Sequence, residues 1–308
     1  MSPTPVTFNE LKKLLIQIET RSSSFQLGAT SIKILKYMVE NPAYTAVSTM
    51  TNIAKANNVN PSTLTRLAYS LGYNKFSGLQ RLFRDYVEEN AHFYTKRANR
   101  LIQTPTIDQK SDSIFDTVIK EEAKNIVSLI HDEQAKTHLD IVNLLIKARK
   151  VRFYGRRQFF SLAVFYSYCL GLIRERVEIM QDDVHGLSHS LTFMNDRDLV
   201  VVLGCAPYTK ATVDTCRIAY KHSIPIVAIT DSHDSPLTTY ALRHLIIPID
   251  SHFYSNSMAA AFAMAEALLA MVAQRMGKST LKTLKKRERI IEEFGINLPH
   301  DMHTTFET

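Results

Sequence analysis

Cysteine is scarce: Cys169, Cys205 and Cys216 are the whole set in 308 residues, and their spacing fits no metal site. An odd, sparse count speaks against a disulfide framework and fits free thiols in a reducing cytoplasm. No run of about 18 apolar residues stands out, so no membrane-spanning helix is expected. The opening MSPTPVTFNELKK lacks the charged-then-apolar build of a secretory signal. No internal repeat, low-complexity tract or GxGxxG fingerprint is found. His185 and His189 stand i,i+4, but no glutamate completes an HExxH arrangement. They read as a surface or core pair beside a solvated Asp182-Asp183 turn, and neither a metal nor another cofactor is expected. What remains is an ordinary globular composition, 45% hydrophobic, long enough for two domains with a core each.

Negative charge is also in short supply, but only in one part of the chain. Residues 1–110 hold 14 Lys/Arg against 7 Asp/Glu, whereas residues 111–308 balance at 23 each, so the net charge of +7 sits on the N-terminal third. A basic head on a neutral body suits phosphate neutralisation by one domain. The basic residues are scattered rather than stacked on one amphipathic face, which argues against a membrane surface.

Within that head, Thr49 to Phe83 reads as a helix-turn-helix, a device for laying a short helix in the major groove of DNA. Ile53 and Ala54 are apolar positions of a first helix, Asn57-Asn58 break it, and Val59 plugs the turn. Asn60 is placed as N-cap and Pro61 at the first position of the second helix, where its missing N–H costs nothing. Leu64, Leu67, Ala68 and Leu71 recur at helical spacing and face a core, and Gly72 ends the helix. Ser62, Thr63, Thr65, Arg66 and Tyr69 fall on the other side as candidate DNA contacts, with Lys55 and Lys75 as phosphate contacts. An ordinary three-helix bundle with a polar outer face would show the same periodicity.

Residues 6–19 and 29–40 read as further helices, the second stopped at Asn41-Pro42, and one long polar helix is expected from Gly78 to about Ile102. The stretch QTPTIDQKSDS, residues 103–113, is poor in apolar groups and reads as a linker. The expected organisation is a helical DNA-binding domain over 1–102 and an effector-binding and oligomerisation domain over 114–308. Helices resume at 114–130 and 134–149, and then the pattern changes. Short Val/Ile-rich runs at 151–154, 177–180, 199–204, 224–230 and 245–249 alternate with helix-like segments. Apolar runs without alternation suit strands buried on both faces, so an α/β fold with a doubly wound, five-stranded parallel sheet is expected. The stretch from Asn256 to about Phe294 reads as helical, with AAAFAMAEALLAMVAQRM as a packing surface between subunits.

Ligands of such sheets bind beyond the C-terminal strand ends. That singles out three loops. In YGRRQFF, Gly155 and its helix start could cradle an anion, with Arg156 and Arg157 pairing with it. In GCAPYTKAT, Cys205, Tyr208 and Thr209 are candidates, although Thr209 reads equally well as a plain N-cap and Cys205 as an inert small side chain. In ITDSHDSPL, Asp231, Ser232, His233 and Ser235 cluster, and Ser235-Pro236 are expected to begin a helix.

The stretch VNPSTLTRLAYSLGYNKFSGLQ, followed in order by YGRRQFFSLA, LGCAPYTKATVDTCRIA and ITDSHDSPL, resembles the RpiR-type bacterial transcriptional regulators over nearly the whole chain. In that family an N-terminal helix-turn-helix precedes a sugar-isomerase (SIS) domain. The resemblance implies a homodimer or homotetramer whose SIS domains sense a metabolite, commonly a phosphosugar, and whose heads bind a DNA operator. Phosphosugar-binding SIS domains usually show Gly-x-Gly-x-Ser after the first strand, where this chain has Gly155, Arg157 and Phe159. They show Ser-x-Ser-Gly-x-Thr after the third, where it has Gly204, Ala206, Pro207 and Thr209. Either Arg156 and Arg157 replace those hydroxyls by charge, or the ligand is not a phosphosugar. An isomerase with an accessory N-terminal domain is the alternative. It needs a base beside a substrate carbon, and His233 and Glu266 belong to no catalytic constellation. A metabolite-binding protein that never touches DNA is a third reading.

Overall fold

The computed structural model describes residues 4–20, 22–103, 113–131, 135–181 and 186–295. Residues 104–112, most of the expected linker, and Asp182, Asp183 and His185 lie outside the described residues.

The N-terminal part is all helical: α1 (Phe8–Glu19), α2 (Ala29–Glu40), α3 (Pro42–Val47), α4 (Met50–Ala56), α5 (Pro61–Ser70), α6 (Phe76–Ala91) and α7 (Phe93–Gln103). The helical periodicity of the sequence becomes one core, with Leu11, Ile34, Leu35, Met38, Ile53, Leu64, Leu67, Leu71 and Phe83 all fully buried. Thr49 caps α4 by accepting from the Asn52 N–H at 3.2 Å. Asn58 takes φ 54° in the turn, a conformation asparagine tolerates better than most residues. Asn60 holds the N-cap position of α5 as expected, but its side chain makes no cap hydrogen bond. Gly72, at φ 87°, closes α5: its N–H reaches Tyr69 O and that of Tyr73 reaches Ala68 O, the paired bonds of a Schellman cap.

The short helix α3 is not foreseen by the sequence. It is pinned by buried Gln80 of α6, whose Nε2 donates to Thr45 O at 2.8 Å and Ser48 O at 2.7 Å. The single long helix expected over 78–102 is also corrected, because the chain breaks at His92 into α6 and α7. The cause is tertiary. Arg97 of α7 stacks on Phe93 and donates to Ser255 O at 2.5 Å, which holds α7 against the α/β part.

That part opens with α8 (Ile114–Ser128), started by a reciprocal capping box between Ser113 and Asp116, and α9 (Ala135–Lys147). There follow β1 (Val151–Gly155), α10 (Gln158–Ile173), β2 (Val177–Ile179), α11 (Gly186–Thr192), β3 (Leu199–Leu203), α12 (Lys210–Lys221), β4 (Ile226–Thr230) and β5 (Arg243–Ile246). The five strands pair in parallel in the order β2-β1-β3-β4-β5. Successive strand residues serve opposite faces: Val201, Leu203, Val227 and Ile229 join one core, and Val200, Val202 and Ala228 the other. Both faces are covered, which explains why the strand sequences do not alternate.

Two expectations change here. Ser235-Pro236 start no helix, and residues 231–242 cross from β4 to β5 as turns. The stretch from Asn256 divides at Gly277 into α13 (Ala259–Met276) and α14 (Lys278–Glu293), with Gly277 at φ 54°, ψ −121°. Helix α13 is long and apolar enough, by length and composition alone, to cross a membrane. Here Ala261, Met264, Ala265, Leu268 and Val272 bury one side of it in the first sheet core, and Ala267 and Ala270 stand exposed on the other.

Candidate functional site

Two places combine exposed or unpartnered polar groups with backbone geometry suited to a ligand. The first is the outer side of α5. Leu64, Leu67 and Ala68 are buried, while Ser62, Arg66 and Tyr69 are exposed and Thr63 is half-buried. Arg66 rests on Thr63 Oγ1 at 3.5 Å, a loose contact that leaves the guanidinium in solvent. Thr65 is half-buried and aims its hydroxyl at Met50 Sδ, 3.5 Å away on α4. Lys55 and Lys75 are exposed at the end of α4 and the start of α6.

The second place lies at the C-terminal ends of β1 and β3. Gly155 ends β1 so close to α10 that an added Cβ would stand 2.2 Å from Phe159 O. Glycine is therefore needed for the strand to run under its own helix. Arg157 is the N-cap of α10 with φ 54° and ψ −131°, a backbone normally left to glycine. Thr209 caps α12, its Oγ1 accepting from the Thr212 N–H at 3.2 Å. Both helix starts border one cleft, so their N–H groups and dipoles favour an anion there.

Of the residues singled out in the sequence, Arg156, Arg157, Cys205, Tyr208 and Thr209 line this cleft. Gly155 lies behind it, and Asp231, Ser232, His233 and Ser235 do not line it. Asp231 holds the β3 loop from below, accepting from Tyr208 OH at 2.6 Å and the Ala206 N–H at 3.2 Å. Ser235 is fully buried against Thr230 Oγ1 at 2.8 Å. Ser232 Oγ accepts from the Asp234 N–H, and His233 lies beside His244 with its carbonyl bonded to Lys13 of α1. The third loop thus shapes its neighbour and docks the head. Burial first, and Asp231 second, push the Cys205 thiol well above its usual pKa, so it stays protonated and inert.

Sequence reasoning missed three lining groups, Gln158, Asn256 and Tyr94. Gln158 and Asn256 border the cleft with buried polar atoms that have no partner among the described residues, Gln158 Nε2 and Asn256 Oδ1. Their other atoms are engaged: Gln158 Oε1 accepts from Ser255 Oγ, and Asn256 Nδ2 donates to Ala206 O at 2.9 Å. An orphan donor and an orphan acceptor in one cleft await a ligand offering both functions. Tyr94 of α7 also lines the cleft, beside the Arg97–Ser255 bond, and the enclosed space is only ≈ 20 Å³. That is room for about one water. None of the three carries a spacing that marks it in the sequence. Among the described residues no group of His, Cys, Asp and Glu could hold a metal ion, and His189 stands exposed on α11.

A family model described as the SIS domain matches residues 144–271. A protein of Clostridium perfringens, described as an uncharacterized HTH-type transcriptional regulator, is 24% identical over 216 residues, 68% of this chain and 71% of its own length. Among solved structures, the sugar isomerase domain of an RpiR transcription factor from Sphaerobacter thermophilus is similar with TM-score 0.54 at 23% identity. It covers 56% of this chain and 96% of its own. The NanR protein of Vibrio vulnificus, complexed with ManNAc-6P, covers 92% of this chain and all of its own at 18% identity and TM-score 0.48. At 23% identity the Sphaerobacter structure speaks for the fold alone. The resemblance to RpiR-type regulators is borne out by a SIS domain where the loops placed it and by a curated relative of the HTH regulator type.

Proposed function

On the premise that residues 144–271 are a SIS domain, we propose that this chain is a ligand-responsive, DNA-binding transcriptional regulator of a metabolic operon. The observation that carries this reading is α5, which turns Ser62, Arg66 and Tyr69 to solvent from within the basic third of the chain. Ser62, Thr63, Thr65, Arg66 and Tyr69 form the reading surface, and Lys55 and Lys75 flank it as phosphate contacts. Residues 1–102 form the DNA-binding unit and 114–308 the effector and oligomerisation unit. A homodimer or homotetramer sets two heads on a near-palindromic site in the cytoplasm.

The effector is a small anionic metabolite in the cleft at the ends of β1 and β3. Arg156, Arg157 and the two helix N-termini meet its charge, and Asn256 Oδ1 and Gln158 Nε2 meet its hydroxyl and carbonyl groups. Phosphosugars and other carbohydrate acids both fit this chemistry. The described lining contains no carboxylate and no imidazole, and its one thiol stays protonated. Proton transfer at a substrate carbon needs such a base, so the cleft suits binding better than turnover.

The test is a genome-wide pull-down of DNA on the purified protein, with footprinting of the enriched fragments. Recurrent near-palindromic sites are expected, and the genes beside them name the effector's pathway. Weak binding, equal for all sequences and lost in modest salt, with or without the pathway metabolites, would sink the regulator reading. At the operator found, Arg66→Ala should weaken binding by about 1–3 kcal/mol if Arg66 reads a guanine. Unchanged affinity removes that assignment.

A further inference from the structure

A second, larger cavity of ≈ 240 Å³ lies between the helical head and the α/β body. Helices α1 and α2 form one side, and α12, Tyr208 and Tyr240 the other. Its floor is apolar, made by Phe8, Leu15, Ile16 and Val213 with the rings of Tyr86 and Tyr240. Four cations and three carboxylates border it, and most are already matched. Glu19 pairs with Lys36 at 3.0 Å, and Asp214 pairs with both Lys210 at 2.5 Å and Arg217 at 3.1 Å. Glu40 stands exposed.

Lys12 is the exception. It borders the cavity from α1 and has neither a hydrogen bond nor an ion pair among the described residues. Burial lowers its pKa to about 8; Asp214 draws it back in part, and Lys210 pushes it down again. A desolvated ammonium without a partner is costly, and an anion within reach removes the cost. The space suffices for one: apolar cavities of about 150 Å³ already admit benzene.

We propose that this junction is a second ligand site, taking a small organic anion whose acidic group pairs with Lys12 Nζ and whose ring-sized body lies on the apolar floor. The acidic group is a carboxylate or a phosphate ester. The site is separate from the effector cleft, yet Tyr208 borders both, and its hydroxyl is anchored on Asp231 at 2.6 Å. A ligand here touches α1 and α2 of the head and α12 of the body at once. Its occupancy therefore sets the spacing between the DNA-reading head and the sensing domain.

The experiment uses the full chain labelled with ¹³C at lysine Cε, with benzoate, phenyl phosphate and neutral benzyl alcohol as probes. The Lys12 signal is the one missing from the Lys12→Met spectrum. Its titration midpoint should rise by a pH unit or more with saturating benzoate or phenyl phosphate, and stay in place with benzyl alcohol. The tighter anion of the two assigns the acidic group. The shift should persist in an Arg156→Ala/Arg157→Ala double variant, and calorimetry should show at least tenfold weaker anion binding by Lys12→Met. A midpoint unmoved by either anion overturns the proposal, as does a shift that vanishes with the two arginines. If Lys12→Met folds poorly, Lys12→Arg, which also removes the lysine signal, supplies the assignment, and the wild-type titration is independent of whether DNA is bound.

Discussion

Single residues at the cleft trade stability for position. Arg157 occupies a backbone region normally left to glycine, and such strain costs on the order of 1–3 kcal/mol. Arg157→Gly should therefore raise the urea midpoint while weakening effector binding at least tenfold. A lowered midpoint would show that its side chain, not its backbone, dominates. Gly155→Ala should act in the opposite sense, because the added methyl meets Phe159 O at 2.2 Å. Overpacking of that kind costs about 1–3 kcal/mol, which equilibrium unfolding resolves. Farther off, Arg149 makes a two-pronged pair with Asp198, whose side chain is fully buried, at 2.8 and 2.7 Å. Burial alone would raise the Asp198 pKa, but the bonds from Arg149 and the Asn195 N–H hold it below the usual range. Arg149→Met strands that carboxylate and should lower the urea midpoint at neutral pH. The loss should shrink as acid protonates Asp198, and a pH-independent deficit would point to lost packing instead.

Among elements, α7 has the least expected place. Its composition suits an extension of α6, yet the break at His92 lays it over the proposed effector cleft, with Tyr94 in the lining and Arg97 on Ser255. Tyr94 fills part of that cleft, and α7 belongs to the chain segment that carries α5, the proposed DNA-reading helix. Tyr94→Ala and Arg97→Ala should each speed effector association severalfold in stopped-flow measurements. Rates equal to wild type would show that ligand enters by another face. The helix-turn-helix is the most legible element: Asn60, Pro61 and Gly72 stand where local capping rules put them. Caps and turns depend on neighbours a few residues apart, so a linear reading finds them. Helix α3 and the His92 break depend on Gln80 and Ser255, distant partners that no local rule points to.

At the scale of the molecule, the head is held to the body at one edge of the sheet. Lys13 of α1 donates to His233 O at 3.0 Å and pairs with Asp234 at 3.1 Å, while His233 Nδ1 lies 3.1 Å from His244 Nε2. Burial first, then His233 and Lys13, lower the pKa of His244 from 6.5. A histidine that is harder to protonate when docked costs nothing above its free value of 6.5 and opposes docking as pH falls below it. Asp234, next to His233 in the chain, is already engaged by Lys13. Docking of α1 should thus be complete at pH 7.5 and loosen toward pH 5, read by hydrogen exchange of residues 8–19. His244→Gln should flatten the profile, and an equally steep profile in that variant would place the switch elsewhere.

By itself the sequence determined the class of each part. Periodicity gave the helices of the head, unalternating apolar runs gave a sheet covered on both faces, and charge separated the two. Those are properties of neighbours along the chain and of the solvent they avoid. Tertiary structure alone decided what the loops do. It set Asp231, His233 and Ser235 to brace and dock rather than to line the cleft, and it brought in Tyr94, Gln158 and Asn256 from elements far apart. A cleft is made by side chains that converge in space, and its unpaired atoms become visible only when every other partner has been counted.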